Sequence, residues 1–227
     1  EAADLAASGS RPEVAGLLKS LYGKGAAEDV VAYTANELVA FAEGAMSSLS
    51  LRVPGIHSIR IYNPTWDDEA SHRREVTVVD VLNDNMPFLV DSVMQELTDA
   101  GIEVRLMVHP ILSVVRGMSG RLLSIGDDPD ANRESFIHIH IARLPDAIAA
   151  AQLETRLDGL LTEVRAAVDD WPRMQALVKS VINVYRHTPP PLPPEAVAEA
   201  VEFLNWLTSD TFTFLGLREI GRASCRE

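Results

Sequence analysis

The chain has one cysteine in 227 residues, Cys225, and only 6% aromatic residues. It has no run of about 18 apolar residues, so a membrane-spanning helix is not expected. The opening stretch EAADLAAS carries neither the basic segment nor the apolar block of a secretory signal. A lone cysteine cannot close an internal disulfide, which fits a reducing compartment and, with the missing signal, a cytoplasmic location. Positive charge is scarce too: 20 Lys and Arg stand against 33 Asp and Glu, a net −13. That acid excess, spread along the chain, repels phosphate backbones and argues against nucleic acid as a partner. No G-x-G-x-x-G follows an expected strand, so no dinucleotide site is expected. Ser135 and Asp130 lack a nucleophile-elbow context, so no Ser-His-Asp chemistry is expected either.

What is present is the balance of a globular protein, 47% hydrophobic and 23% charged, with length for one or two domains. Helical spacing recurs over Pro12–Tyr22 and Ala26–Ser48. His57–Tyr62 has the β-branched character of a short strand. The middle of the chain then reads as strand Glu75–Leu82, helix Pro87–Ala100 and strand Ile102–Val108. A hairpin follows, Ile111–Arg116 with Arg121–Ile125 across GMSG, then strand Ser135–Ile141 and helix Asp146–Val168 with Pro145 at its opening turn. This order predicts an α+β fold, a ferredoxin-like antiparallel sheet with helices on one face, preceded and followed by helical segments. The final strand of that plan comes either from Val181–Tyr185 or from His57–Tyr62; Met174–Tyr185 reads as helical or mixed. TPPPLPP, Thr188 to Pro194, is expected to be an extended spacer, with a docking motif for a proline-recognising domain the sharper option. A helix through Leu207 and strand-like TFTFLGL come after it. The implied division is a helical segment 1–54, an ACT-like domain 55–170, a helical and proline-rich connector 171–208, and the first strand of a further domain 209–220. Residues 221–227 read like translated sequencing-adapter sequence and are expected to be non-native.

The residues with the clearest chemistry stand at the junction NDNMPFLVDS. Asn83, Asp84 and Asn85 end a strand, and Met86 and Pro87 lead into a helix in which Asp91 and Ser92 fall one turn inside. Side-chain oxygens there can cap the helix, and Asp84 with the helix N-terminal amides can take an amino acid by its ammonium and carboxylate. His138 and His140 share one strand face and, with His109, form a less favoured zinc site. The pattern lacks the carboxylates and cysteines that usually complete one, so the expectation is no metal and an H-x-H that is solvated or in a sheet-to-sheet contact. The acidic pairs Asp67-Asp68-Glu69, Asp127-Asp128 and Asp169-Asp170 read as solvated turns.

RIYNPTW, NDNMPFLVDSV, VHPILSVVR and ESFIHIHIARL, in this order, resemble the N-terminal region of the large NAD-specific glutamate dehydrogenases. FLNWLTSDTFTFLGLRE resembles the start of that family's next domain, so the likeness covers nearly all of Leu17 to Glu219. It implies an ACT-type module that binds an amino-acid effector or pairs with other domains of the same enzyme and within a homo-oligomer. It also implies a parent that oxidises glutamate to 2-oxoglutarate and ammonia with NAD, through domains that this segment lacks. No cofactor is then expected in the segment itself, and the candidate effector-binding or interface residues are Asn83, Asp84, Asn85, Met86, Pro87, Asp91 and Ser92. ACT modules often carry glycine where Met86-Pro87-Phe88 stands, a departure from the pattern. A stand-alone amino-acid-binding or protein-interaction module is the alternative, and an enzyme built on the histidines ranks third.

Overall fold

A computed structural model describes residues 2–4, 12–23, 30–64, 75–126, 128, 131–209 and 212–216. It divides into two compact units, residues 1–161 and 162–227. The first contains helices α1 (Pro12–Tyr22), α2 (Ala35–Leu49) and α3 (Leu89–Asp99) with strands β1 (Ser58–Tyr62), β2 (Val76–Asp84), β3 (Val104–Val108), β4 (Ile111–Arg116), β5 (Leu122–Ile125) and β6 (Asn132–Ala142). Helix α4 (Ala147–His187) begins in this unit, and α5 (Pro194–Leu207) lies in the second.

The six strands form one antiparallel sheet in the order β1-β2-β6-β4-β5, and β3 also pairs with β6. β3 and β4 lie along the same side of β6, opposite its C-terminal and N-terminal halves. They act as one long strand interrupted at His109-Pro110, where proline removes a donor. This is the ferredoxin-like arrangement, with β1 at the edge position beside β2 that the plan reserves for its last strand. Of the two sources expected for that strand, His57–Tyr62 supplies it. Val181–Tyr185 is helical instead, because α4 runs unbroken for 41 residues with Pro172 inside it. β5 is an addition to the plan, an edge strand that forms a hairpin with β4.

Two further expectations shift. The helix read over Ala26–Ser48 is interrupted: residues 30 and 31 are helical, and α2 starts afresh at Ala35, where Thr34 forms a capping box in which its hydroxyl accepts from Glu37 N and Glu37 accepts from Thr34 N. Residues 24–29 of that reading lie outside the described residues. In TFTFLGL, residues 212–216 are described and are not in a strand. The two acid pairs at 67–69 and 127–128 fall largely, and the suspected tail 221–227 wholly, outside the described residues.

Strand alternation divides the core into two faces. Val76, Val78, Leu82, Leu112, Val114 and Phe136 point to one side, where they form a single buried cluster with Leu17, Leu18 and Leu21 of α1 and Phe41, Ala45 and Leu49 of α2. Val79, Val81, Ile137, Ile139 and Ile141 point to the other and are fully buried, as are Val93 and Leu97 of α3 and Leu153 and Leu157 of α4. The helices of the βαββαβ plan therefore occupy one face as expected. The N-terminal helices seal the second.

Candidate functional site

The 83–92 junction does not have the geometry of an open capping loop. β2 extends through Asp84, which leaves Asn83 buried at 1% exposure with its Oδ1 accepting from Asp84 N. Asp84 accepts a 2.8 Å bond from Arg52 Nη2, so its charge already has a cationic partner. Asn85 N donates to Arg133 O, which ties the loop to the start of β6. The residue that starts α3 is Phe88, at φ 69° with no side-chain cap, so neither Asp84 nor Asn85 caps this helix. Pro87 before it and a positive φ after it are the signature of a turn that favours glycine at its second central position. Met86, Pro87 and Asp91 remain partly or fully exposed, and Ser92 N bonds back to Phe88 O as in any helix. Cavities of about 820, 340 and 910 Å³ open elsewhere on the unit, and residues 83–92 line none of these three.

Phe88 gives a direct stability test. A left-handed conformation costs a residue with a Cβ about 1–2 kcal/mol more than glycine. Phe88→Gly is expected to be about 1 kcal/mol more stable than Phe88→Ala by urea unfolding. Equal midpoints for the two variants would show that this backbone stores no strain.

Beneath this loop lies a buried ionic network that links four segments. Glu134 of β6 accepts from Arg116 Nε at 2.7 Å through Oε1 and from Arg116 Nη2 at 2.8 Å through Oε2, a two-pronged pair. The same Oε1 accepts from Arg52 Nη2 at 2.9 Å, and that nitrogen also reaches Asp84. Arg116 Nη1 adds bonds to the carbonyls of Leu49 and Gly120, and Arg52 Nη1 bonds Ile56 O. Side chains of Arg52, Arg116 and Glu134 are all 3% exposed or less. Burial by itself raises the Glu134 pKa, but the hydrogen bonds and charges of the two arginines outweigh it and hold the carboxyl below its usual range. Glycine is required at position 120, where φ is +80° and a Cβ would stand 2.5 Å from Arg52 O.

A second polar chain crosses the core between the sheet and the N-terminal helices. Asp80 sits in the middle of β2 opposite His138 of β6. Its Oδ1 is 2.5 Å from His138 Nδ1, and its Oδ2 accepts from Ser48 Oγ of α2. His138 Nε2 faces His140 Nε2 at 2.9 Å and Tyr22 Oη at 3.3 Å, while His140 Nδ1 is 3.0 Å from Tyr33 Oη. Tyr33, His140, His138 and Asp80 thus form one continuous row of hydrogen-bonding groups, joined at the carboxylate end by Ser48 of α2. Burial first, and then the charge on Asp80, push the Tyr22 hydroxyl pKa upward, so it stays a donor.

These histidines are therefore buried, which corrects the expectation of a solvated or sheet-to-sheet H-x-H. They lie under α1 and α2, with Phe41 against His140 at a ring separation of 3.9 Å. His109 does not join them: it bonds Ser135 Oγ at 2.8 Å, and Ser135 is on the opposite face of β6. Among the described residues no three His, Cys, Asp or Glu side chains are placed to hold a metal ion.

Sequence reasoning missed Asp80, Arg52, Arg116 and Glu134. One signal was available for Asp80, since a carboxylate inside VTVVDVL must be paired if the strand is buried on both faces. The arginines carry no such signal, because an arginine in a loop or at a strand end is ordinarily exposed.

Comparison with known proteins places this architecture. Residues 17–157 match the family described as glutamate dehydrogenase, ACT1 domain. The chain is 36% identical over 172 residues to an NAD-specific glutamate dehydrogenase of Halomonas elongata. It is 32% identical over 169 residues to one of Pseudomonas aeruginosa. Each alignment covers 73% of this chain and 10% of the relative, so the chain spans about a tenth of their length. No helix among the described residues is long and apolar enough to cross a membrane.

Proposed function

Because the chain belongs to the glutamate dehydrogenase ACT1 domain family, we propose that it is a non-catalytic regulatory and assembly module at the N-terminal end of an NAD-dependent glutamate dehydrogenase. The parent enzyme converts L-glutamate to 2-oxoglutarate and ammonia in the cytoplasm, with NAD bound by domains outside this segment. The observation that carries the reading is the family match over residues 17–157, which falls on the sheet and its covering helices. Its functional partners are the other domains of the same enzyme and further copies in a homo-oligomer.

Assembly fits the surface better than capture of an amino acid at residues 83–92. An ammonium ligand needs an uncommitted carboxylate, and Asp84 is bonded to Arg52. Asn85, Pro87 and Phe88 of the loop and Asp91 in the first turn of α3 are exposed, and the loop is tied to β6 through Asn85 N and Arg133 O, a platform for a neighbouring domain. Apolar side chains also stand exposed around the hairpin tip, with Leu51 at 58%, Ile56 at 59% and Met118 fully exposed. Such side chains commonly mark contact surfaces.

The test is deletion of the matched region from the parent enzyme. The truncated dehydrogenase is expected to lose its native oligomeric mass or its response to amino-acid effectors, and the isolated 227-residue chain to form no NADH from glutamate and NAD. Unchanged mass and unchanged effector response in the truncated enzyme would overturn the proposal. So would glutamate oxidation by the isolated chain.

A further inference from the structure

Where β3 breaks into β4, a cavity of about 820 Å³ opens between the sheet edge and the C-terminal end of α1. Lys19 of α1, His109 of the break, Ser113 of β4 and Arg133 of β6 supply its polar wall, and Met107 and Ile111 its apolar wall. The chain as a whole has 33 acidic residues against 20 basic ones, yet no Asp or Glu is among the described residues that line this cavity. Lys19 and Arg133 have no ion-pair partner among the described residues. Two cations with no ion-pair partner among the described residues and an imidazole thus line one concave space, and its volume lies in the range of ligand sites, about 300–1,000 Å³.

We propose that this cavity binds a small organic dianion, its anionic oxygens held by Lys19 and Arg133 and its carbon skeleton against Met107 and Ile111. A guanidinium and an ammonium select negative oxygens without preference between carboxylate and phosphate. Hydrogen bonding to Ser135 orients the His109 ring at the cavity wall. Burial lowers the His109 pKa, so the ring is neutral near pH 7 and offers a hydrogen bond rather than a third charge. The main chain of Arg133 accepts from Asn85 N, so a ligand held at Arg133 sits one hydrogen bond away from the exposed 83–92 loop. This inference goes beyond the assembly reading and does not depend on the parent enzyme, because the site lies within the first unit.

Isothermal titration of the 227-residue chain with glutarate and, separately, with AMP tests it, with glutamine as the probe of no net charge. At least one of the two anions is expected to bind with Kd about 1 mM or tighter, glutamine at least roughly tenfold more weakly. Lys19→Ser and Arg133→Ser are each expected to weaken binding roughly tenfold. Both positions are exposed, so melting curves of the variants are expected to match the parent chain. Binding of glutarate alone assigns the site to dicarboxylates, and binding of AMP alone assigns it to phosphate esters. Heat from neither anion overturns the proposal, as does binding that both serine variants leave unchanged or that glutamine equals.

Discussion

Replacing Glu134 with leucine lowers the stability of the fold by about 3–5 kcal/mol, because it strips the shared acceptor from two buried guanidiniums and leaves Arg116 with no carboxylate among the described residues. Arg116 loses both prongs of its pair and Arg52 loses its buried one, while Asp84, at 37% side-chain exposure, holds only Arg52. A milder variant keeps the test readable if the leucine form does not fold. Glu134→Gln retains the shape and one acceptor, and is expected to cost about 1–3 kcal/mol. Urea unfolding at pH 7 measures both, and a leucine variant within about 1 kcal/mol of the parent would remove the network from any account of stability.

The same residue sets a pH dependence with a definite sign. Its folded-state pKa is depressed below the ordinary value of 4.5. The unfolded chain therefore takes up the proton first as pH falls. The stabilisation is complete above pH 4.5 and is lost as acid drives the pH down through the folded-state value. Glu134→Gln has no carboxyl to titrate, so its stability is expected to fall less steeply than the parent's below that pH. Parallel curves would show that other carboxylates govern acid unfolding.

Breaking the Asp80 chain is the second large effect. Asp80→Ala leaves His138 Nδ1 buried without its carboxylate partner, while the half-buried Ser48 hydroxyl keeps Gly44 O at 3.3 Å as an acceptor. One such buried orphan costs about 1–3 kcal/mol, and a loss of that size is expected. Asp80 and His138 belong to one network, so the loss from both substitutions together is expected to be smaller than the sum by more than 1 kcal/mol. A double-mutant cycle with Asp80→Ala and His138→Ala measures this coupling. Additive losses would mean that the short contact between them contributes nothing of its own.

The two networks show how far local pattern reaches. β-branched runs at Val76–Asp84 and Asn132–Ala142 are legible because buried central strands need side chains that fill both faces. The 3.6-residue spacing runs through Val30 and Val31, which are helical, and hides the break at 32–34 where the Thr34 capping box starts α2. The sequence reading ends a helix at Val168 and takes Met174–Tyr185 as helical or mixed, whereas α4 runs on through Pro172, a residue that ordinarily ends a helix. At the candidate site, NDNMP marked the right junction for a polar connection. The partners of its side chains lie far away in sequence, Arg52 being 32 residues from Asp84 and 82 from Glu134.

The sequence by itself determined the α+β class, the strand order along the chain and the family, because hydrophobic period, turn residues and motif order are properties of neighbours. Tertiary structure alone decided which strand closes the sheet, that both faces are covered, and that Asp84, Glu134 and the H-x-H pair are occupied inside the fold. Those outcomes depend on which distant cation or hydroxyl arrives beside each polar group. A buried charge is stable only with such a partner, and chain spacing carries no record of it.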